Sequence, residues 1–96
     1  MPTMYRIDTM GDAHLLVAQV AEQGFADLLV HRVSSRGLAT RPWLWYFTTD
    51  KQMARYYVHF CSLGMAQLAV CFVDSYGAAG WVSQNPAVRR LLPSRG

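Results

Sequence analysis

Apolar and polar positions alternate in short segments of this chain, and the same segment returns about every 13 residues. The copies are marked by six alanines, spaced 13, 13, 15, 12 and 13 residues apart: Ala13, Ala26, Ala39, Ala54, Ala66 and Ala79. Apolar side chains follow the marker at two and four places, as in Leu15 and Val17. This period of two predicts a β-strand in each copy. The position between them is also largely apolar, which predicts strands covered on both faces.

The residues before each alanine predict a tight connection. A Gly stands two places before the marker in five copies, with Gln52 in that place in the fourth: Gly11, Gly24, Gly37, Gly64 and Gly77. A hydroxyl residue stands four places before it in four copies: Thr9, Ser35, Ser62 and Ser75. This order is typical of a turn, or of a single helical turn, in which the hydroxyl accepts a backbone N–H and Gly adopts a φ that other residues avoid. The alanine then predicts close packing of the turn on a neighbouring strand.

The repeat length restricts the architecture. Thirteen residues hold one strand of about five or six residues and a short connection. They do not hold the helical crossover of a βαβ unit, which needs a dozen or more residues between its strands. The last copy, residues 72–81, is as apolar as the middle ones, unlike the polar end of an open solenoid. We therefore predict a β-rich fold (mainly β or α+β) of six repeats, each a short strand plus a tight turn or single helical turn, around one core.

The junction between the third and fourth copies departs from the pattern. This connection is two residues longer than most of the others and contains the segment Arg-Pro-Trp at 41–43. Pro42 has no N–H to donate to a strand ladder. The most aromatic stretch of the chain follows at 44–47, Leu-Trp-Tyr-Phe. Since large rings dominate small cores, we expect a longer connection leading into a strand that fills the centre of the core.

Several blocks of the chain resemble one known family. They are the repeat segments 26–30 and 33–37, the aromatic block 44–47, and the segment 72–77 closing on Ala-Gly-Trp at 79–81. Over roughly residues 4 to 82, these blocks and their order are similar to the septoil-knot domain of small bacterial and phage proteins. The resemblance implies a deeply knotted backbone, the seven-crossing torus knot 7(1), whereas periodicity alone equally permits an unknotted wrap. The family has no established biochemical activity, so the resemblance implies no catalytic or binding residues.

Charge divides the chain into two parts, a predicted septoil-knot-like domain at 1–82 and a basic C-terminal tail at 83–96. Residues 1–81 hold six basic and six acidic side chains, and the net charge of +3 comes from Arg89, Arg90 and Arg95. The tail begins like a helix, with Asn85 as N-cap and Pro86 in the first turn.

Two interpretations of the tail stay open. We expect its apolar residues, Val88, Leu91 and Leu92, to pack on the domain. Alternatively, its three arginines contact nucleic acid or another polyanion, although nucleic-acid binders usually gather a larger basic surface with exposed stacking rings.

The chain carries little sign of catalytic chemistry. No Cys and His spacing resembles a zinc ligand set, and each loop holds a single Gly, unlike phosphate-binding loops. We predict no cofactor, no metal site and no enzymatic activity. The one alternative is a thiol hydrolase using Cys61 with His59, two places apart on one strand face. His31 occupies the same repeat position as His59, and Ala18 and Cys71 occupy it in other copies, which indicates a tolerant position.

Composition bounds the setting and the partners. Half of the residues are hydrophobic (52%) and 16% are charged, which is typical of a globular domain. No apolar run is long enough to span a membrane, and the two cysteines stand in a chain without a secretory signal, so we expect reduced thiols in a cytoplasm. We therefore expect a kinetically stable, non-enzymatic accessory or interaction protein of unknown partner, a monomer or, through an exposed strand edge, a homodimer.

Overall fold

The computed structural model describes residues 2–92, which form seven strands, five 3-10 turns and one short helix. The strands are β1 (Thr3–Arg6), β2 (Leu15–Gln19), β3 (Leu28–Arg32), β4 (Leu44–Phe47), β5 (Tyr56–Phe60), β6 (Leu68–Phe72) and β7 (Gly80–Trp81). The 3-10 turns are Met10–Asp12, Gln23–Phe25, Arg36–Leu38, Leu63–Met65 and Tyr76–Ala78, and the helix α1 is Pro86–Arg89. Strand and single helical turn therefore alternate as the repeat predicts, except between β4 and β5, where no 3-10 turn forms.

Six of the strands close into a barrel. Their order is β4-β1-β5-β2-β6-β3, β3 pairs again with β4, and every one of these pairings is parallel. The short β7 adds an antiparallel pairing at the start of β3. The predicted β-rich repeat fold around one core is confirmed. No helix within residues 2–92 has the length and apolarity needed to cross a bilayer.

Short connections join parallel strands here because most of them arch over a single neighbouring strand, whereas β3 and β4 are paired directly. Val58 of β5 pairs with the last residue of β1, Arg6, on one side and with the first residue of β2, Leu15, on the other. The two ends of the arch are tied to β5 as well: the Ile7 amide donates to the Val58 carbonyl at 2.9 Å and the His14 amide to the Tyr57 carbonyl at 2.8 Å. Residues 7–14 therefore cross β5 at the height of Val58. Because β2 begins at the height where β1 ends, the chain does not have to run back along the barrel before the next strand starts.

The same geometry recurs at three further arches. Each crosses a strand whose central residue pairs with the end of one neighbour and the start of the other: Met4 in β1, Val17 in β2 and Val70 in β6. The long βαβ crossover is thus avoided, although the strands are parallel. The repeat length alone did not predict this strand direction.

The barrel interior holds the residues that the alternation assigns to the core. Those two and four places after the marker alanine are at most 2% exposed in most copies: Leu15, Val17, Leu28, Val30, Val58, Leu68 and Val70. The position between them is half-buried at Leu16, Leu29 and Tyr57, so the prediction of two fully covered faces is wrong for β2, β3 and β5. The reason is that a narrow arch, not a second layer, covers the outer face.

The aromatic block fills the barrel centre as predicted. Trp45 of β4 is fully buried, and its indole Nε1–H donates to the Pro42 carbonyl at 2.8 Å. The markers Ala26 and Ala39 are buried and the other four are half-buried, which fits turns packed closely on strands.

The turn chemistry differs from the prediction in two respects. The carbonyl oxygen of each hydroxyl residue accepts the 3-10 hydrogen bond, and no side-chain hydroxyl caps these turns; Thr9 Oγ1 donates instead to an Asp12 carboxylate oxygen at 2.8 Å. Within residues 2–92 only Gly80 has a positive φ, +156°. A 3-10 turn has right-handed backbone angles, which residues other than proline adopt at most of its positions. The backbone conformation of the turn therefore does not require glycine.

Replacing a turn glycine by alanine should therefore stabilise the protein. An added Cβ at Gly24 or Gly64 meets no atom within 4 Å, and alanine reduces the entropy of the unfolded chain, so we expect Gly24→Ala and Gly64→Ala each to add about 0.4–1 kcal/mol. Gly80→Ala is the control and should destabilise by about 1–3 kcal/mol, because φ at Gly80 is unfavourable for alanine. Urea unfolding after long incubation measures all three. Destabilisation by the two turn variants would contradict this interpretation.

The C-terminal segment packs on the barrel as expected. The Asn85 side chain accepts from the Ala87 amide at 3.0 Å and so caps α1. Leu92 is 1% exposed within the core, and Val88 and Leu91 pack against it. The predicted domain boundary at residue 82 stays a prediction.

Candidate functional site

A depression of about 460 Å³ lies at one end of the barrel, and it is larger than two others, of about 350 and 270 Å³. Its lining consists of the last residue of each barrel strand, Arg6, Gln19, Arg32, Phe47, Phe60 and Phe72, together with Thr48 and Thr49. Six parallel strands end at the same side of a barrel, so residues from six separate copies meet there. We call this depression the mouth.

Three phenylalanine rings form the floor of the mouth. The ring centroids of Phe47, Phe60 and Phe72 lie 6.3, 6.3 and 6.4 Å apart. Beneath this Phe triad, the Trp45 ring meets Phe47 and Phe72 edge-on, at centroid distances of 6.0 and 6.1 Å. The three rings are half-buried, so the floor is apolar, supported from below and open to a ligand above.

Two guanidinium groups lie over this floor. The Arg6 Cζ is 4.8 Å from the Phe60 centroid, and the Arg32 Cζ is 4.6 Å from the Phe47 centroid and 6.0 Å from that of Phe72. Such cation–π contacts contribute about 0.5–1 kcal/mol each at exposed sites. The lining includes no Asp or Glu, so the charged side chains that line the mouth are both positive.

The other two depressions lie among the arches and are chemically mixed. One, of about 350 Å³, brings His31, Arg32 and Thr40 together with exposed Leu38 and Tyr76. The other, of about 270 Å³, is smaller and combines basic residues, Arg6 and Lys51, with acidic ones, Asp8 and Asp12. Neither concentrates charge of one sign over an apolar floor.

Of the tail arginines, Arg89 and Arg90 do not line the mouth. Arg89 is engaged within the protein: its Nε donates to the Ser83 carbonyl at 2.8 Å, and its guanidinium lies 5.9 Å from the Trp81 ring centroid. Arg90 is exposed, and Arg95 lies outside the described residues. Polyanion contact by Arg89, Arg90 and Arg95 stays a prediction.

The Cys61 and His59 pair gains no support from the geometry. His59 Nδ1 lies 2.9 Å from the Ile7 carbonyl oxygen, and His31 Nδ1 makes the equivalent contact with the Val73 carbonyl oxygen at 3.0 Å. Both histidines thus tie an arch to a strand, as their shared repeat position suggests. Cys61 is half-buried, and neither it nor His59 lines the three depressions above. Within residues 2–92, no three His, Cys, Asp or Glu side chains are grouped to hold a metal ion.

The mouth was not found by sequence reasoning, although a signal was present. Arg6, Gln19 and Arg32 follow one another at 13 residues, and Phe47 and Phe60 do the same. The strand pattern marks these positions as inward-facing. Their convergence depends on parallel strand direction and on barrel closure, which the pattern does not contain.

The arches and the strand order together define the class of protein. Most steps along the chain advance two places around the barrel, so the chain travels more than once around its axis while every arch passes outside a strand. Residues 1–82 match the family model of the 7(1) septoil knot domain, and the chain belongs to this family. No curated protein and no solved structure gives a significant match. The predicted family and knotted repeat fold are confirmed; the family carries no assigned biochemical function.

Proposed function

We propose that this protein is a non-enzymatic binding protein that holds an oxyanion-bearing ligand in the barrel mouth. The observation that carries the proposal is the pair of guanidinium groups, Arg6 and Arg32, lying over the Phe triad in a lining without carboxylates. Ligand sites in open parallel α/β sheets and parallel barrels occur at the carboxyl ends of the strands, which is where the mouth lies.

The donors of both guanidinium groups are free to bind an anion. A ring holds the flat face of a guanidinium, while its N–H groups point outward in the plane and suit carboxylate or phosphate oxygens. Within residues 2–92, no side-chain hydrogen bond is donated by Arg6 or Arg32. An incoming oxyanion therefore gains charge-assisted hydrogen bonds from the two guanidinium groups without displacing a side-chain hydrogen bond that they already donate.

Binding without catalysis is supported by the composition of the mouth. The lining contains no His, Cys, Asp, Glu or Lys, the side chains that most often act as nucleophile or general base. The hydroxyl of Thr48 is already occupied, since it accepts from the Asp50 amide at 3.0 Å and contacts the Met53 sulfur at 3.7 Å. The alternative activity, a thiol hydrolase at Cys61, would need a thiolate and a base that lie outside the mouth.

Removing either charge from the mouth should weaken anion binding. We expect inorganic phosphate to shift the NMR signals of the strand ends at low ionic strength, and Arg6→Gln or Arg32→Gln to lower its affinity about tenfold, because one charge-assisted contact is lost. Arg36→Gln is the matched control, since Arg36 is exposed on a turn, does not line the mouth and carries the same charge. An equal loss of affinity in Arg36→Gln, or shifts outside the mouth only, would overturn the proposed function.

A further inference from the structure

Aromatic and polar residues alternate around the mouth. In barrel order the strand ends are Phe47, Arg6, Phe60, Gln19, Phe72 and Arg32. The first three strands of the chain supply the polar residues and the next three supply the rings. The alternation follows from the fold, because the arches interleave the two halves of the chain strand by strand.

The polar residues are not distributed evenly. Arg6 and Arg32 end β1 and β3, the two strands that flank β4, whereas Gln19 ends β2, on the opposite side of the barrel. Positive charge is therefore concentrated on the β4 side, next to Thr48 and Thr49, and a neutral amide stands across the Phe triad from it.

The size of the floor restricts what can lie on it. Three ring centroids 6.3–6.4 Å apart form a triangle about as wide as a single aromatic ring. The volume of about 460 Å³ lies within the range of small-molecule sites, which combine apolar walls with a few converging polar groups. An extended polyanion fits less well, because Asp8 and Asp12 stand beside Arg6 just outside the mouth and would repel it.

We propose that the mouth takes a small aromatic acid: one flat ring carrying a carboxylate or a phosphate. This rests on the proposed function and names its ligand class. The anion lies between Arg6 and Arg32, the ring packs on the part of the Phe triad that the two guanidinium groups leave uncovered, and a hydrogen-bonding substituent on the far side of the ring meets the amide of Gln19. The charge selects the anion, and removal of the rings from water favours the aromatic body.

Matched pairs of probes test the role of the ring. Calorimetric and NMR titrations of the wild-type chain would compare phenyl phosphate with methyl phosphate and benzoate with acetate, and would include benzyl alcohol as a ring without charge. We expect the aromatic member of at least one pair to bind at least about tenfold more tightly than its methyl counterpart. The pair that shows this preference identifies the anion as phosphate or carboxylate. Benzyl alcohol should not saturate the site.

A second comparison tests the role of Gln19. We expect 4-hydroxyphenyl phosphate to bind more tightly than phenyl phosphate to the wild-type chain, and Gln19→Leu to abolish that difference. Gln19 is exposed, so its replacement leaves the core intact.

The outcomes separate the two proposals. Equal binding of the aromatic and methyl members of both pairs at the mouth would overturn the aromatic ligand and leave the anion site standing. Tighter binding of a short RNA or of anionic vesicles than of any aromatic acid would also overturn it. No binding of any probe at the mouth, inorganic phosphate included, would overturn the proposed function itself.

Discussion

An energy-driven unfoldase protease should degrade the intact chain at least about tenfold more slowly than a nicked form of the same barrel. The substrate would carry a degradation tag after residue 96, and the nick would be made at a protease site inserted at residues 50–52, which are exposed in the arch between β4 and β5. Degradation rates of the two forms, followed on gels under identical conditions, give the comparison.

The physical reason is the path of the backbone. Pulling on one end of a knotted chain tightens the arches around the strands they cross before any strand leaves the barrel. The parallel ladders of the barrel then load together rather than one after another. A nick between β4 and β5 leaves all contacts of the folded state in place but creates two new chain ends. When the chain is pulled, the segment can therefore slide out from under the arches.

The control for this prediction is the nicked protein without unfoldase. Its near-UV circular dichroism and its urea midpoint should show that the two fragments stay assembled, because strands of one fragment remain paired with strands of the other in the barrel. Equal degradation rates for intact and nicked protein, with the nicked barrel assembled, would show that the knot gives no mechanical resistance.

Truncating Trp45 should cause the largest loss of stability among single core substitutions, about 3–5 kcal/mol for Trp45→Ala. Trp45 is fully buried at the centre of the barrel, and its indole supports Phe47 and Phe72 edge-on. The substitution leaves a large cavity under the Phe triad and removes the only side-chain donor to the Pro42 carbonyl seen in the described residues. Urea unfolding, with incubation long enough for the two directions to agree, measures the loss.

Two further tryptophan variants divide this effect into its parts. Trp45→Phe keeps a ring in the core but leaves the Pro42 carbonyl without its indole donor, so we expect a loss of about 1–3 kcal/mol. Trp43→Ala truncates a half-buried neighbour at the edge of the core and should cost less than Trp45→Ala. A loss in Trp45→Ala no greater than in Trp43→Ala would contradict the central role of Trp45.

The repeat made most local structure predictable, because alternation and turn residues act over a few neighbours. Strand positions, the single helical turns after five of the strands, the buried aromatic strand and the Asn85 cap all follow from such short-range rules. The roles given to the turn glycines and hydroxyls were wrong. These residue types suit several turns, and the sequence does not say which hydrogen bond forms.

The amino-acid sequence by itself determined the six units, their inward-facing side chains and, through resemblance, their family. Only the tertiary structure decided that the barrel strands run parallel, that most connections arch over one neighbour, and that Arg6, Gln19 and Arg32 alternate with three phenylalanines at one mouth. Such contacts join residues far apart in the chain. They depend on strand direction and barrel closure, which are properties of the whole fold and leave no mark within any one repeat.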